Sequence, residues 1–135
     1  MIDHIGIDVR NFEDAKKFYE QALAPLGITT IVLSMSENAH ETPYAGMGKD
    51  GKPFFWFGER AGEEETATNS ITPIHIAFGT ESRAIVDAFY KAAIAAGGKD
   101  NGTPGVRPHY HQLYYGAFVL DADGNNIEAV CHDHP

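Results

Sequence analysis

The opening residues alternate, with Ile5, Ile7 and Val9 on one side of an extended chain and His4, Gly6 and Asp8 on the other. A period of two marks a half-buried strand. Beyond Asn11, whose side chain suits a helix N-cap, the period changes. Phe12, Ala15, Tyr19, Ala22, Leu23 and Leu26 build one apolar helix face, which Pro25 and Gly27 end. Runs rich in β-formers follow at 28–34, 44–48 and 53–58, the last two joined by a turn at Asp50-Gly51. The same order of patterns then returns. His75 and Ala77 oppose Ile76 and Phe78. Ser82 precedes a stripe of Ile85, Val86, Phe89, Ala93 and Ala96, and Gly97-Gly98 stops it. The stretch 98–112, rich in Gly, Pro and His, reads as a loop. Strands at 113–120 and 125–131 flank an Asp123-Gly124 turn.

The recurrence is a repeat at an offset of 71 residues: His4-Ile5 falls on His75-Ile76, Phe18-Tyr19 on Phe89-Tyr90, Ala22 on Ala93, Ala24 on Ala95 and Gly27 on Gly98. Two βαβββ units are implied, 1–60 and 73–135, in one α+β domain, with 61–72 as a linker whose Glu63-Glu64-Glu65 run is solvated. Neither unit is large enough to bury both faces of its sheet alone. The two half-sheets are therefore expected to pair and curl around a cleft on the face opposite the helices.

Parity turns this architecture into candidate chemistry. With the apolar positions of each first strand against its helix, His4 and His75 face the cleft at repeat-related places. In the last strand Ile127, Ala129 and Cys131 suit the helix side, so Glu128 projects the other way. A carboxylate there is costly unless paired or bound to a cation. Two imidazoles and a carboxylate from separate strands form a facial set for a divalent metal, with positions open for water or substrate. Phe54-Phe55-Trp56-Phe57 supplies aromatic surface for an apolar substrate part. Alternate members face opposite ways, so either Phe54 and Trp56 or Phe55 and Phe57 wall the cleft. Phe55 and Phe57 are the substrate-binding candidates, with His109. In the segment His109-Tyr110-His111-Gln112-Leu113-Tyr114-Tyr115, His111 can serve as acid or base and Tyr115 can donate to an anionic oxygen, which makes both catalytic candidates beside Glu128. His40, His132 and His134 read as surface residues.

Composition narrows the partners. The chain has 135 residues and a net charge of −9, which repels phosphate backbones and argues against nucleic acid. No apolar run reaches the roughly 18 residues of a membrane span, and no secretory signal is visible at the N-terminus. The single cysteine, Cys131, fits a reducing cytoplasm.

The segments His4-Ile5-Gly6-Ile7-Asp8-Val9, Phe18-Tyr19, His75-Ile76-Ala77-Phe78 and Asp121-Ala122-Asp123-Gly124-Asn125-Asn126-Ile127-Glu128 together resemble the vicinal oxygen chelate superfamily, the glyoxalase, bleomycin-resistance and extradiol-dioxygenase group. The resemblance implies paired βαβββ units and a divalent metal (Fe, Mn, Zn or Ni) on His4, His75 and Glu128. It implies a small substrate that chelates the metal through oxygens, in an enzyme of lyase, isomerase or ring-cleaving dioxygenase type. The alternative it carries is a metal-free drug-binding protein of bleomycin-resistance type. The metal-dependent glyoxalases take a fourth ligand from the last strand of the first unit. At offsets of 71 and 73 that place falls on Phe57 or Phe55. A three-ligand site is closer to the extradiol dioxygenases and the fosfomycin-type resistance enzymes. Two-unit members are commonly homodimers, with the cleft inside one chain or between chains.

Overall fold

The computed structural model describes residues 1–35, 42–60 and 72–133. The acidic run at Glu63-Glu64-Glu65, nearly all of the linker, His40 and His134 lie outside the described residues. In the first unit, β1 (Ile5–Val9) leads into α1 (Phe12–Leu23), a short 3-10 turn (Ala24–Leu26), and the strands β2 (Thr29–Ser34), β3 (Tyr44–Lys49) and β4 (Lys52–Glu59). The second unit repeats the order with β5 (His75–Thr80), α2 (Arg83–Ala95), β6 (Lys99–Val106), β7 (Tyr115–Leu120) and β8 (Asn126–Cys131). Each unit makes one four-stranded mixed sheet, ordered β1-β4-β3-β2 and β5-β8-β7-β6. The first and last strands of each unit pair in parallel and the rest antiparallel. The α+β class and the paired βαβββ architecture are thus present.

Local chemistry accounts for the element ends. Asn11 accepts from the Asp14 N–H at 3.0 Å and caps α1. Ser82 occupies the equivalent place before α2 without a side-chain cap bond. The β3–β4 hairpin turns on Asp50 and Gly51, both at positive φ (51° and 76°), the backbone that tight two-residue hairpins require.

One segment departs from the sequence reading. Residues 99–106 form a strand, β6, rather than part of a loop. It lies at the sheet edge, where Pro104 needs no ladder partner on its outer side. Irregular register between Asp100, Gly102 and Gly105 absorbs the glycines. Those residues hide the strand from a pattern search.

The apolar stripes of both helices meet in one core. Phe12, Tyr19 and Leu23 of α1, Val86 and Phe89 of α2, Phe55 and Phe57 of β4, and Val119 and Ile127 of the second sheet are all at most 1% exposed and belong to one cluster. Phe55 meets Phe78 edge-on across the two units at 5.6 Å between centroids. The turn after β7 locks the units together. Asp121 Oδ1 accepts from the N–H groups of Asp123 (3.0 Å) and Asn125 (2.8 Å), and its Oδ2 accepts from Asn125 Nδ2 (2.8 Å) and from the Tyr19 hydroxyl of α1. Asn125 Oδ1 in turn accepts from Ile74 N–H (2.9 Å), and Arg10 pairs with Asp123 at 2.9 Å.

Because the helix sides of both sheets share this core, their opposite faces lie on the outside of the chain. The expected cleft between facing half-sheets is therefore not closed within one chain. The sheets are separate, with no strand pairing between β1 and β5. Among the described residues no helix is long and apolar enough to cross a membrane.

Candidate functional site

The outward face of the second sheet carries two of the three residues that parity sets toward one cleft, His75 and Glu128. Parallel pairing sets His75 beside Asn126 and Ala77 beside Glu128, while antiparallel pairing sets Phe118 of β7 on the other flank of Glu128. Glu128 is 1% exposed, and its Oε2 lies 2.8 Å from His75 Nε2. Its Oε1 accepts a hydrogen bond from the Tyr114 hydroxyl. The half-open His75 ring, with its side chain 52% exposed, forms the outer edge of the cluster and lies 6.0 Å from the Phe118 ring. Room for Tyr114 over the carboxylate comes from Gly116. A Cβ there would stand 3.0 Å from Tyr114 Cε1 and 3.2 Å from Glu128 Oε1. Burial first, then the hydrogen bond to Glu128 and its charge, push the Tyr114 phenol above its usual range. Tyr114 therefore stays protonated and keeps donating at any physiological pH.

The first sheet presents a different outward face. His4 precedes β1 and is 59% exposed, with its Nδ1 2.7 Å from Asp3 Oδ1. Lys52 also pairs with Asp3 at 2.8 Å. Lys52 and then His4 hold the Asp3 carboxyl below its usual range. A His4 that donates Nδ1–H to Asp3 keeps its Nε2 lone pair for a cation. His4 and His75 both line a cavity of about 640 Å³ between the β1 and β5 ends, with Phe54, Phe55 and Ile76 in its walls. Glu128 is not in that lining. Among the described residues no three His, Cys, Asp or Glu side chains of one chain converge on a single point. The structure thus brings His75 and Glu128 together and leaves His4 apart from them.

Pairing registers decide the aromatic question. Ile5 sits opposite Phe55 and Ile7 opposite Phe57, so both phenylalanines face the helices, at 0% and 1% exposure. Phe57 packs on Phe12 and Tyr19 in the core. Phe55 contributes only part of the cavity wall. The open face instead carries Phe54 and Trp56, with Tyr44 6.2 Å from the Trp56 ring. The same registers settle what stands where Glu128 stands in the second unit. Ile5 pairs with Phe55 as its repeat mate Ile76 pairs with Ile127, so the counterpart of Glu128 is Trp56. The last strands are offset by 72 residues rather than 71 or 73, and one residue is enough to reverse parity. The indole lies over Gly46, where a Cβ would be 2.8 Å from the ring.

Among the other candidates, Tyr115 turns to the helix side. Its hydroxyl donates to Asp87 Oδ1 of α2 at 2.6 Å, and Arg83 stacks 5.0 Å over its ring. Strand alternation explains why its neighbour Tyr114, and not Tyr115, meets Glu128. His111 Nδ1 accepts from Leu113 N–H at 3.2 Å, closing the turn that leads into β7. His132 packs edge-on against Tyr114 at 5.1 Å and lies 5.7 Å from His111, behind the cluster. His109 stacks on Tyr110 at 4.2 Å, and Tyr110 meets Tyr114 at 5.2 Å. Tyr114, Phe118 and Asn126 are the neighbours of Glu128 and His75 that sequence reasoning did not single out, and Trp56, which it held only as one of two alternatives for the cleft wall, is the counterpart of Glu128. The parity of Glu128 carried across β7 is the signal that finds Phe118, and repeat alignment on the strands finds Trp56.

A family model described as the glyoxalase/bleomycin resistance protein/dioxygenase superfamily matches residues 1–129. No curated protein matches the sequence. Among solved structures, a glyoxalase/bleomycin resistance protein from Albidiferax ferrireducens is 25% identical over 98% of both chains, with a TM-score of 0.68. Glyoxalase I from Zea mays is 22% identical, with a TM-score of 0.71, over 96% of this chain and 45% of that one. A mutant of the fosfomycin resistance protein FosX from Listeria monocytogenes, complexed with Mn(II) and 1S,2S-dihydroxypropylphosphonic acid, is 18% identical over 96% and 90% of the two chains, with a TM-score of 0.65. The family match over nearly the whole chain agrees with the repeated βαβββ topology, and the chain belongs to the glyoxalase/bleomycin resistance protein/dioxygenase superfamily.

Proposed function

We propose that the protein is a divalent-metal-dependent enzyme acting on a small substrate that chelates the metal through oxygens. The observation that carries the reading is the buried Glu128 carboxylate held against His75 at 2.8 Å on the sheet face away from the helices. An isolated carboxylate is expensive to bury, and an imidazole and a carboxylate on adjacent parallel strands are a fitting pair of donors for a borderline divalent ion. His75 and Glu128 would hold the metal, with His4 of a second copy of the chain as the third ligand. Trp56 at the fourth position makes this a three-ligand site. The metal would supply Lewis-acid stabilisation of negative charge developing on substrate oxygens.

The chain's own residues do the rest. Tyr114 orients Glu128 through its hydroxyl proton, and Gly116 leaves the space for it. Asp3 orients His4 from its Nδ1 side. Phe54, Trp56 and Tyr44 form an apolar wall that excludes water from a bound substrate. The outward faces of both sheets carry partly exposed aromatic residues, Phe54, Trp56 and Phe118, which supports a homodimer in which the first-unit face of one copy covers the second-unit face of the other. Lyase or isomerase chemistry and ring-cleaving dioxygenation share these requirements, and the metal and substrate separate them. A cytoplasmic setting agrees with the single buried thiol, Cys131.

A second reading, a metal-free binder of small apolar molecules, is favoured by the aromatic face around Trp56. Calorimetric titration of chelator-stripped protein with Mn(II), Fe(II), Zn(II) and Ni(II) tests the first against the second. One ion per chain is expected, with Glu128→Gln weakening affinity by about a hundredfold or more, since even groups that only orient metal ligands are worth about 10–100-fold. Absence of stoichiometric binding by any of the four ions, or an unchanged affinity in E128Q, overturns the metal reading.

A further inference from the structure

We propose that the site takes an organic oxyanion, a carboxylate or phosphonate attached to a planar or apolar group, and that Arg107 is the residue that selects it. This rests on the reading of the His75–Glu128 pair as the reacting end of the site, and extends that end sideways along the second sheet. Arg107 lies beyond Phe118 from His75: its guanidinium carbon is 5.6 Å from the Phe118 ring centroid, and the His75 ring is 6.0 Å from the same ring. Its backbone N–H donates to the Tyr114 carbonyl at 2.8 Å, which ties it to the residue that orients Glu128. The side chain is seated by glycines. A Cβ at Gly105 would stand 2.9 Å from Nη1, and one at Gly102 would stand 3.4 Å from Nη2. Nη2 donates to the Thr103 carbonyl at 2.7 Å, which fixes the plane of the fork.

This chain has a net charge of −9, yet among the described residues no carboxylate pairs with Arg107. Of the other three arginines, Arg10 and Arg60 have acidic partners and Arg83 stacks over Tyr115. The guanidinium instead borders a small cleft of about 250 Å³ with Asn101, Tyr110, Phe118 and Asn126. Asn101 Nδ2 donates to Asn126 Oδ1 at 3.1 Å, a bond that does not use the Asn126 NH₂, and Asn126 lines the cleft as a second source of donors. A planar fork with a flanking amide donor matches an oxyanion, and the Phe118 face matches the group that carries it. The substrate would then lie across Phe118, its anion on Arg107 and its reacting atoms toward His75 and Glu128.

The test uses full-length protein in EDTA-containing buffer at constant ionic strength, so that metal plays no part. Salicylate, its neutral amide salicylamide, and phenylphosphonate are titrated calorimetrically. Wild type is expected to bind at least one of the two acids tenfold or more tightly than the amide, and the tighter acid identifies the oxyanion. Arg107→Gln should bring the acids to the level of the amide, and Arg107→Lys should keep part of the preference. Gly105→Ala, which crowds Nη1 while leaving the charge, should reduce it severalfold and carries the test if R107Q does not fold. Equal binding of acids and amide by wild type, no binding of either acid, or a preference that survives R107Q overturns the proposal. Metal titration on chelator-free protein is read separately: if it fails while the acid preference holds, the enzyme reading falls and the anion site stands.

Discussion

Replacing Tyr19 by Phe removes one hydroxyl and leaves the rest of the core in place. The ring is fully buried between Phe18, Phe55 and Phe57, with centroids 4.9–5.3 Å away, so packing is kept. What goes is the bond to Asp121, which then retains three donors, two backbone N–H groups and the Asn125 amide. A hydrogen bond to a charged group is worth about 1.5–3 kcal/mol. For a domain of this size that corresponds to a fall of about 5–15 °C in Tm. Burial, reinforced by the Asp121 charge, raises the Tyr19 phenol far above its ordinary value of 10.0. The folded state therefore holds a proton that the unfolded chain releases above about pH 10. A group raised in this way stabilises fully below its unfolded pKa and progressively less above it, by up to about 1.4 kcal/mol per pH unit. Urea melts followed by circular dichroism at pH 7.5, 10 and 11 should give wild type its full advantage over Y19F at the first pH and a shrinking one beyond pH 10. A difference below about 0.5 kcal/mol at pH 7.5, or one that does not narrow at pH 11, would refute the view that this hydroxyl ties the two units through Asp121.

Gly116→Ala should displace Tyr114 from Glu128, costing about 1–3 kcal/mol in stability from overpacking and weakening Mn(II) affinity about tenfold through the lost orienting bond; calorimetry and thermal melts read both. Light scattering at micromolar concentration should give about twice the chain mass of 14.7 kDa, and a monomer would leave His4 without a route to the cluster. His4→Ala and Glu128→Gln should each abolish tight metal binding, whereas dimers mixed from the two variants should regain one site per dimer. No recovery on mixing would place the ligand set within one chain or end it.

Strand parity needs only the two-residue period and the knowledge that apolar residues face the helix. It puts His4, His75 and Glu128 at outward positions; the register of β5 with β8 sets His75 and Glu128 on one face, and His4 precedes β1. It could not choose between Phe55 with Phe57 and Phe54 with Trp56. A run of four aromatics has no polar member to mark its solvent side, and the repeat offset slips by one residue between the first strand and the last. β6 escaped notice for a related reason: Gly102, Pro104 and Gly105 are turn residues by propensity, and only pairing with β7 makes their backbone extended. The aromatic-rich approach to β7 drew attention for the right composition but the wrong member, since Tyr115 faces Asp87 and Tyr114 faces Glu128.

Local and periodic information is written along the chain, and it is enough for the repeat, for both helices and their apolar stripes, for every strand but β6, and for the exclusion of His75 and Glu128 from the helix-facing core. Whether excluded side chains meet depends on how two sheets are set against each other, a long-range outcome of packing. The apolar stripes of α1 and α2 share one core with both sheets, and Tyr19 anchors to Asp121 across the units. That arrangement turns both chemical faces outward. That His75 and Glu128 touch while His4 stands apart is a tertiary outcome, because burying the helices together leaves the polar faces on the outside of the chain.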